Sequence, residues 1–194
     1  MRYFGFIFIF IFIVSCRPQT YTPKPAGYFR IDTFQHAYQV FNEPEFPYSF
    51  EYPVYATITR DTSFFGEKPE NPYWININIP SMKGTIYISY KIISAKQPFS
   101  KLLEDAHKMT WFHDTRADYI ETSPFINRAG VTSLLFDVGG NAASAYQFIA
   151  TDSVKNFIRG ALYFDVPPNV DSLRPANNFM KTDILHLLAT LKFK

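Results

Sequence analysis

An α+β fold is predicted by three features of this 194-residue chain: alternation of apolar and polar residues through most of its middle, two switches to helical spacing, and a composition rich in rings. Alternation marks a half-buried strand, and recurrence at three and four residues marks a helix. The expected architecture is a largely antiparallel sheet of about 6–8 strands with two packed helices, one central and one C-terminal. Aromatic residues make up 19% of the chain, which favours sheet over helix. Charged residues make up only 19% and the formal charge is +2, which excludes a disordered chain and a basic field that holds nucleic acid. A single cysteine excludes a disulfide framework and any Cys-based metal site.

The first segment, Met1 to Cys16, reads MRYFGFIFIFIFIVSC. Arg2 supplies a charged start, and the apolar run Tyr3 to Val14 is shorter than the roughly 20 residues of a spanning helix. It fits the core of a secretory signal peptide over residues 1–15. Ile13-Val14-Ser15-Cys16 resembles a bacterial lipobox, which makes Cys16 the expected lipidation site and the first mature residue. Two acyl chains at about 0.8 kcal/mol per methylene anchor on the order of 20 kcal/mol. Residues 16–45 then form a lipidated tether and extended arm. Within it RPQTYTPKPAG, residues 17–27, spans roughly 34 Å if polyproline-like. No acidic cluster follows Cys16, which favours a periplasm-facing molecule.

Residues 46–194 are expected to form one globular domain. Tyr48 to Tyr52 alternates and stops at Pro53, and Val54 to Thr59 alternates again. A charged loop from Asp61 to Pro72 leads to Trp74-Ile-Asn-Ile-Asn-Ile79, with three isoleucines on one face and Trp74, Asn76 and Asn78 on the other. Lys83-Gly84 turns this run into Thr85 to Ile93, completing a hairpin. Helical spacing begins after Pro98, with Ser100 as the expected N-cap and an end near Ala117. Asp118 to Ile126, Val131 to Val138, Ala145 to Thr151 and Phe157 to Val166 are the next strands. The closing helix has Ser172 as its expected cap, Pro175 in its first turn, and a stripe of Leu173, Ala176, Met180, Ile184, Leu187, Leu188 and Leu191.

Motifs for chemistry are sparse, and no cofactor or metal is expected. His107 and His113 are six apart, which places them about 240° apart around a helix rather than on one face. His186 borders the last apolar stripe, where packing is the default role. The segment GGNAASAYQFIATDS, Gly139 to Ser153, is the densest run of small residues. It is either a tight hairpin or a place where another chain approaches closely. Gly139, Gly140, Asn141, Ser144, Gln147, Asp152 and Arg159 are therefore the candidate interaction surface, with Tyr146, Tyr163 and the face carrying Trp74 as candidate aromatic contacts. Ser144 and Asp152 with a histidine would supply the alternative, a small periplasmic hydrolase, and exposed Trp74 with Tyr rings a glycan-binding module.

Several blocks carry a resemblance. Pro25-Ala-Gly-Tyr-Phe-Arg-Ile31, Tyr48-Ser-Phe-Glu-Tyr-Pro53, Ile88-Ser-Tyr-Lys91, Gly140-Asn-Ala-Ala-Ser144, Gln147-Phe148, Thr151-Asp-Ser153, Arg159-Gly-Ala-Leu-Tyr-Phe164 and Pro168-Asn-Val-Asp-Ser-Leu173 resemble, in that order, the gliding-motility lipoprotein D family, GldD. Ala26 stands where a basic residue is usual in that family. The resemblance implies a non-enzymatic envelope lipoprotein of the gliding motility and type IX secretion machinery. It also implies partners among the other lipoproteins of that machinery, attachment to the membrane through acyl chains, and no catalytic residues. The order of elements is similar to the folds of small photosystem-assembly proteins, a likeness of fold that carries no function.

Overall fold

The computed structural model describes residues 35–62 and 68–194; the signal segment, Cys16 and most of the tether lie outside the described residues. Among the described residues ten strands and two α-helices follow in order: β1 (Tyr38–Phe41), β2 (Tyr48–Pro53), β3 (Thr57–Arg60), β4 (Ile75–Ile79), β5 (Gly84–Ile92), α1 (Phe99–Trp111), β6 (Ala117–Ile126), β7 (Thr132–Gly140), β8 (Tyr146–Thr151), β9 (Asn156–Phe164), α2 (Val170–Thr190) and β10 (Lys192–Phe193). Seven strands make one antiparallel sheet in the order β3-β4-β5-β9-β8-β7-β6, and β1-β2-β10 make a second, smaller one. One helix is central in the chain and one C-terminal, as the periodicity predicts. Among the described residues no helix is long and apolar enough to cross a membrane.

The isoleucine alternation sets the register of the β4–β5 hairpin. Ile75, Ile77 and Ile79 are fully buried, with Ile77 opposite Ile86 and Ile75 opposite Ile88. A single 3-10 turn at Pro80–Met82 reverses the chain, and Lys83 takes the left-handed conformation that closes it. That face of the large sheet meets α2 and the small sheet. Between them lie Tyr48, Tyr90, Phe148, Met180, Ile184 and Leu188, all at least 98% buried. A smaller cluster of Leu102, Ala106, Phe136, Ile149 and Phe157 lies under α1 on the opposite face. Large rings stacked edge to face, such as Phe41 with Phe46 at 5.0 Å, fill the main core.

The helix boundaries differ from expectation, each for a physical reason. Pro98, not Ser100, stands before α1, and its carbonyl accepts the amides of Lys101 and Leu102 at 3.0 and 3.1 Å. The helix stops at Trp111 rather than near Ala117, because a 3-10 turn at Asp114–Arg116 redirects the chain into β6. Asn169, not Ser172, caps α2, its side chain accepting the Ser172 amide at 3.0 Å. Pro175 then falls inside the helix rather than in its first turn. Asn127, in the β6–β7 turn, donates to the carbonyls of Leu188 and Leu191, both at 2.8 Å, and its Oδ1 accepts the amides of Ala129 and Val131. One side chain thus joins a turn to the end of α2.

Candidate functional site

The small-residue segment forms the end of β7 and its connection to β8. Gly139 and Gly140 line a cleft of about 200 Å³ with Tyr119, Asp137, Asn169 and Asn177, between the sheet and the first half of α2. Both glycines are tightly enclosed, and Gly140 is the one the backbone requires. A Cβ on Gly139 would lie 2.1 Å from the Tyr119 ring, and Gly140 has φ +85° with Asp118 N only 2.7 Å from a built Cβ. Asn141 ties the connection to α2 by accepting the Val170 amide at 2.9 Å. Ser144 is fully buried and donates to the Tyr146 carbonyl at 3.2 Å. At the cleft wall Lys181 bridges Asp137 at 2.8 Å and sits 5.2 Å over the Tyr146 ring. The bond to Asp137 holds the Lys181 ammonium above its usual range, against the opposing effect of burial.

Gln147 and Arg159 come together elsewhere, beneath α1. They lie on neighbouring strands, where Gln147 faces Ala161 and Arg159 faces Ile149. Gln147 is fully buried, and its Oε1 accepts from Thr110 Oγ1 of α1 at 3.2 Å and from Arg159 Nη2. Gln147 Nε2 and Arg159 Nε are buried without a partner. Burial lowers the Arg159 guanidinium below its ordinary value. Burial, followed by the Arg159 charge, pushes His113 down as well.

Asp152 lies at the far end of β8. Its Oδ1 accepts the amides of Val154, Lys155 and Asn156 at 3.0, 2.8 and 2.8 Å, and its Oδ2 accepts Asn156 Nδ2 at 2.6 Å. Burial alone raises the Asp152 carboxyl; these bonds overcome that and hold it below the usual range. The seven candidates therefore divide among three places: Gly139 to Ser144 beside α2, Gln147 with Arg159 under α1, and Asp152 in the β8–β9 turn. Trp74 departs from the expected exposed face. It precedes β4 instead of belonging to it, is 7% exposed, and donates Nε1 to the Tyr90 carbonyl at 2.9 Å. Tyr146 is also buried, whereas Tyr163 packs edge-on to the part-exposed Tyr87 at 5.8 Å.

The most concentrated polar constellation was not among the candidates. Asp183, 1% exposed on the buried face of α2, accepts from Tyr38 OH at 3.0 Å and from Tyr55 OH, and lies 2.7 Å from His36 Nδ1. His36 stacks on Phe179 at 4.3 Å, and Tyr38 stacks on His186 at 3.5 Å. His186 Nε2 in turn lies 2.7 Å from Glu51. Burial, then the Asp183 charge, pushes the Tyr38 phenol up to about 12. The same influences raise Tyr55, with the hydrogen bond to Asp183 ahead of its charge. One signal was available in sequence: Asp183 stands three after Met180 and one before Ile184, an acid within the apolar stripe.

The family model described as gliding motility lipoprotein GldD matches residues 18–193. No curated protein matches the chain. Among solved structures, the solution structure of cyanobacterial PsbP (CyanoP) from Synechocystis sp. PCC 6803 is similar with a TM-score of 0.48 and 12% identity, covering 88% of this chain and 100% of that one.

Proposed function

Since the chain belongs to the gliding motility lipoprotein GldD family, and is thus a gliding-motility-associated lipoprotein of the cell envelope, we propose that it acts as a non-enzymatic assembly component of the gliding and type IX secretion machinery. Acyl chains on Cys16 hold the body at a membrane on its periplasmic side, and the tether gives it reach to neighbouring lipoproteins. The match over residues 18–193 carries the reading, because it starts two residues after Cys16 and takes in both sheets and both helices. The cleft at Gly139, Gly140 and Asn141 beside the start of α2 is the first candidate for partner contact, with the Gln147–Arg159 cluster the second.

The groups that a hydrolase would use have other work. Ser144 is buried and bonded to backbone, and Asp152 spends both oxygens on its own turn. The two are separated by the length of β8, six residues or roughly 20 Å. A glycan platform built on Trp74 meets the same difficulty, because that ring is buried in the core.

Deletion of the chain tests the role. Colony spreading and export of secreted cargo are expected to stop while the inner-membrane motor components remain present. Cys16→Ser is expected to release the protein from membranes and to reproduce the loss. Normal spreading and secretion in the deletion strain refute the proposal.

A further inference from the structure

Arg159 is a partly buried cation without a counter-charge among the described residues. Among the described residues its guanidinium makes one hydrogen bond, from Nη2 to Gln147 Oε1. Nε is buried and unpartnered, and no carboxylate among the described residues forms an ion pair with it. Beside it Gln147, fully buried, leaves Nε2 unsatisfied as well. Two neighbouring side chains with unmet N–H donors are a costly arrangement unless something accepts from them. Arg159 also lines a cleft of about 250 Å³ on the sheet face left open beside α1, with Trp74, Tyr87, Ser89 and Met109. Nη1 bonds to no group of the described residues, so the guanidinium keeps a donor for a ligand.

We infer that this cleft is a binding site for a single carboxylate group carried on an apolar chain, with Arg159 as its charge partner. The charge pattern selects a monoanion. Asp61 and Glu70 line the same cleft with Lys68 and Lys91, and Glu70 is already bonded to Lys91 at 2.9 Å and to Gln97 at 3.3 Å. The lining thus carries three cations, Lys68, Lys91 and Arg159, against two carboxylates, a net charge of +1 that a carboxylate balances and a phosphate dianion exceeds. The walls select an apolar carrier: Tyr87 and Met109 are 39% and 43% exposed beside the guanidinium. An acidic side chain and the free C-terminus of a polypeptide both present this chemistry.

The full chain, 15N-labelled in detergent micelles, is titrated with N-acetyl-L-phenylalanine, N-acetyl-L-phenylalanine amide, N-acetyl-L-aspartic acid α-amide and inorganic phosphate at constant ionic strength. The Arg159 Nε–H, Trp74 Nε1–H and Ser89 amide resonances are expected to shift saturably with N-acetyl-L-phenylalanine, in the millimolar range that one charged contact of this kind supports. The neutral amide is expected to bind about tenfold or more weakly, and phosphate likewise. A stronger response to the aspartate derivative assigns the site to acidic side chains; a stronger response to N-acetyl-L-phenylalanine assigns it to chain termini. Arg159→Gln, checked for an otherwise unchanged spectrum, is expected to remove the carboxylate preference. Equal shifts from the acid and its amide overturn the inference in wild-type protein alone, as does phosphate binding at least as tightly as the carboxylate. An absence of saturable shifts overturns it too. The deletion phenotype reads the assembly role and this titration reads the site, so either can fail without the other.

Discussion

Replacing Asp183 with alanine withdraws one acceptor from three donors contributed by distant parts of the chain. Tyr38 OH, Tyr55 OH and His36 converge on that carboxylate from sequence separations of 145, 128 and 147 residues. Each hydrogen bond to a charged group contributes about 1.5–3 kcal/mol, so simple addition of the three gives about 4.5–9 kcal/mol. The three donors are only partly buried, however, and can regain water once the carboxylate is gone. A loss of about 3–5 kcal/mol is therefore expected, the range for breaking a buried charged contact. Asp183→Asn retains one oxygen and the shape, and is expected to cost about half as much. Urea unfolding of the full chain in detergent, followed by far-UV circular dichroism, measures both. Double-mutant cycles with Tyr38→Phe and Tyr55→Phe give the coupling, expected at about 1 kcal/mol or more for each pair. A cost below about 1 kcal/mol for Asp183→Ala, or additivity in both cycles, refutes the reasoning that this carboxylate joins the N-terminal strand to α2.

Three further outcomes follow from single side chains. Gly140→Ala is expected to destabilise by more than Gly139→Ala, because positive φ and fixed backbone oppose a Cβ at position 140 while the half-exposed Tyr119 ring can move away from position 139; the reverse order of unfolding midpoints would contradict this. Asp152, held below the usual carboxylate range, lends stability that is complete above the ordinary value of an aspartate and lost as pH falls through the lower folded value. The stability gap between wild type and Asp152→Asn should accordingly narrow below about pH 4, and a constant gap between pH 6 and 3 speaks against the turn-building role. Tyr38 has the opposite sign: its raised phenol contributes fully below 10.0, and that contribution disappears as pH rises towards about 12, so Tyr38→Phe should flatten the alkaline fall in stability.

The strands that alternate most cleanly were legible. Ile75, Ile77 and Ile79 needed only a period of two, and the stripe from Ala176 to Leu188 only a period near 3.6, since each pattern is written into consecutive residues. Caps were less legible: Asn169 and Ser172 are both good capping residues three positions apart, and the approach of Asn141 to Val170 places the start of the helix. The two-residue β10 carries no period at all, and it exists because β2 lies alongside it. Tyr38 to Phe41, expected in an arm lying on the domain, is paired into the small sheet for the same reason.

Residue order alone determined the secondary-structure class, the hairpin register and the family, because these rest on neighbours along the chain. The division of the candidate surface into three places, the junction at Asp183 and the unmatched charge of Arg159 were decided by tertiary structure. Each depends on which side chains meet across strands or helices far apart in sequence, and on how much water that meeting removes. A local pattern contains neither distance nor burial, so it can name a polar residue without revealing what the residue must satisfy.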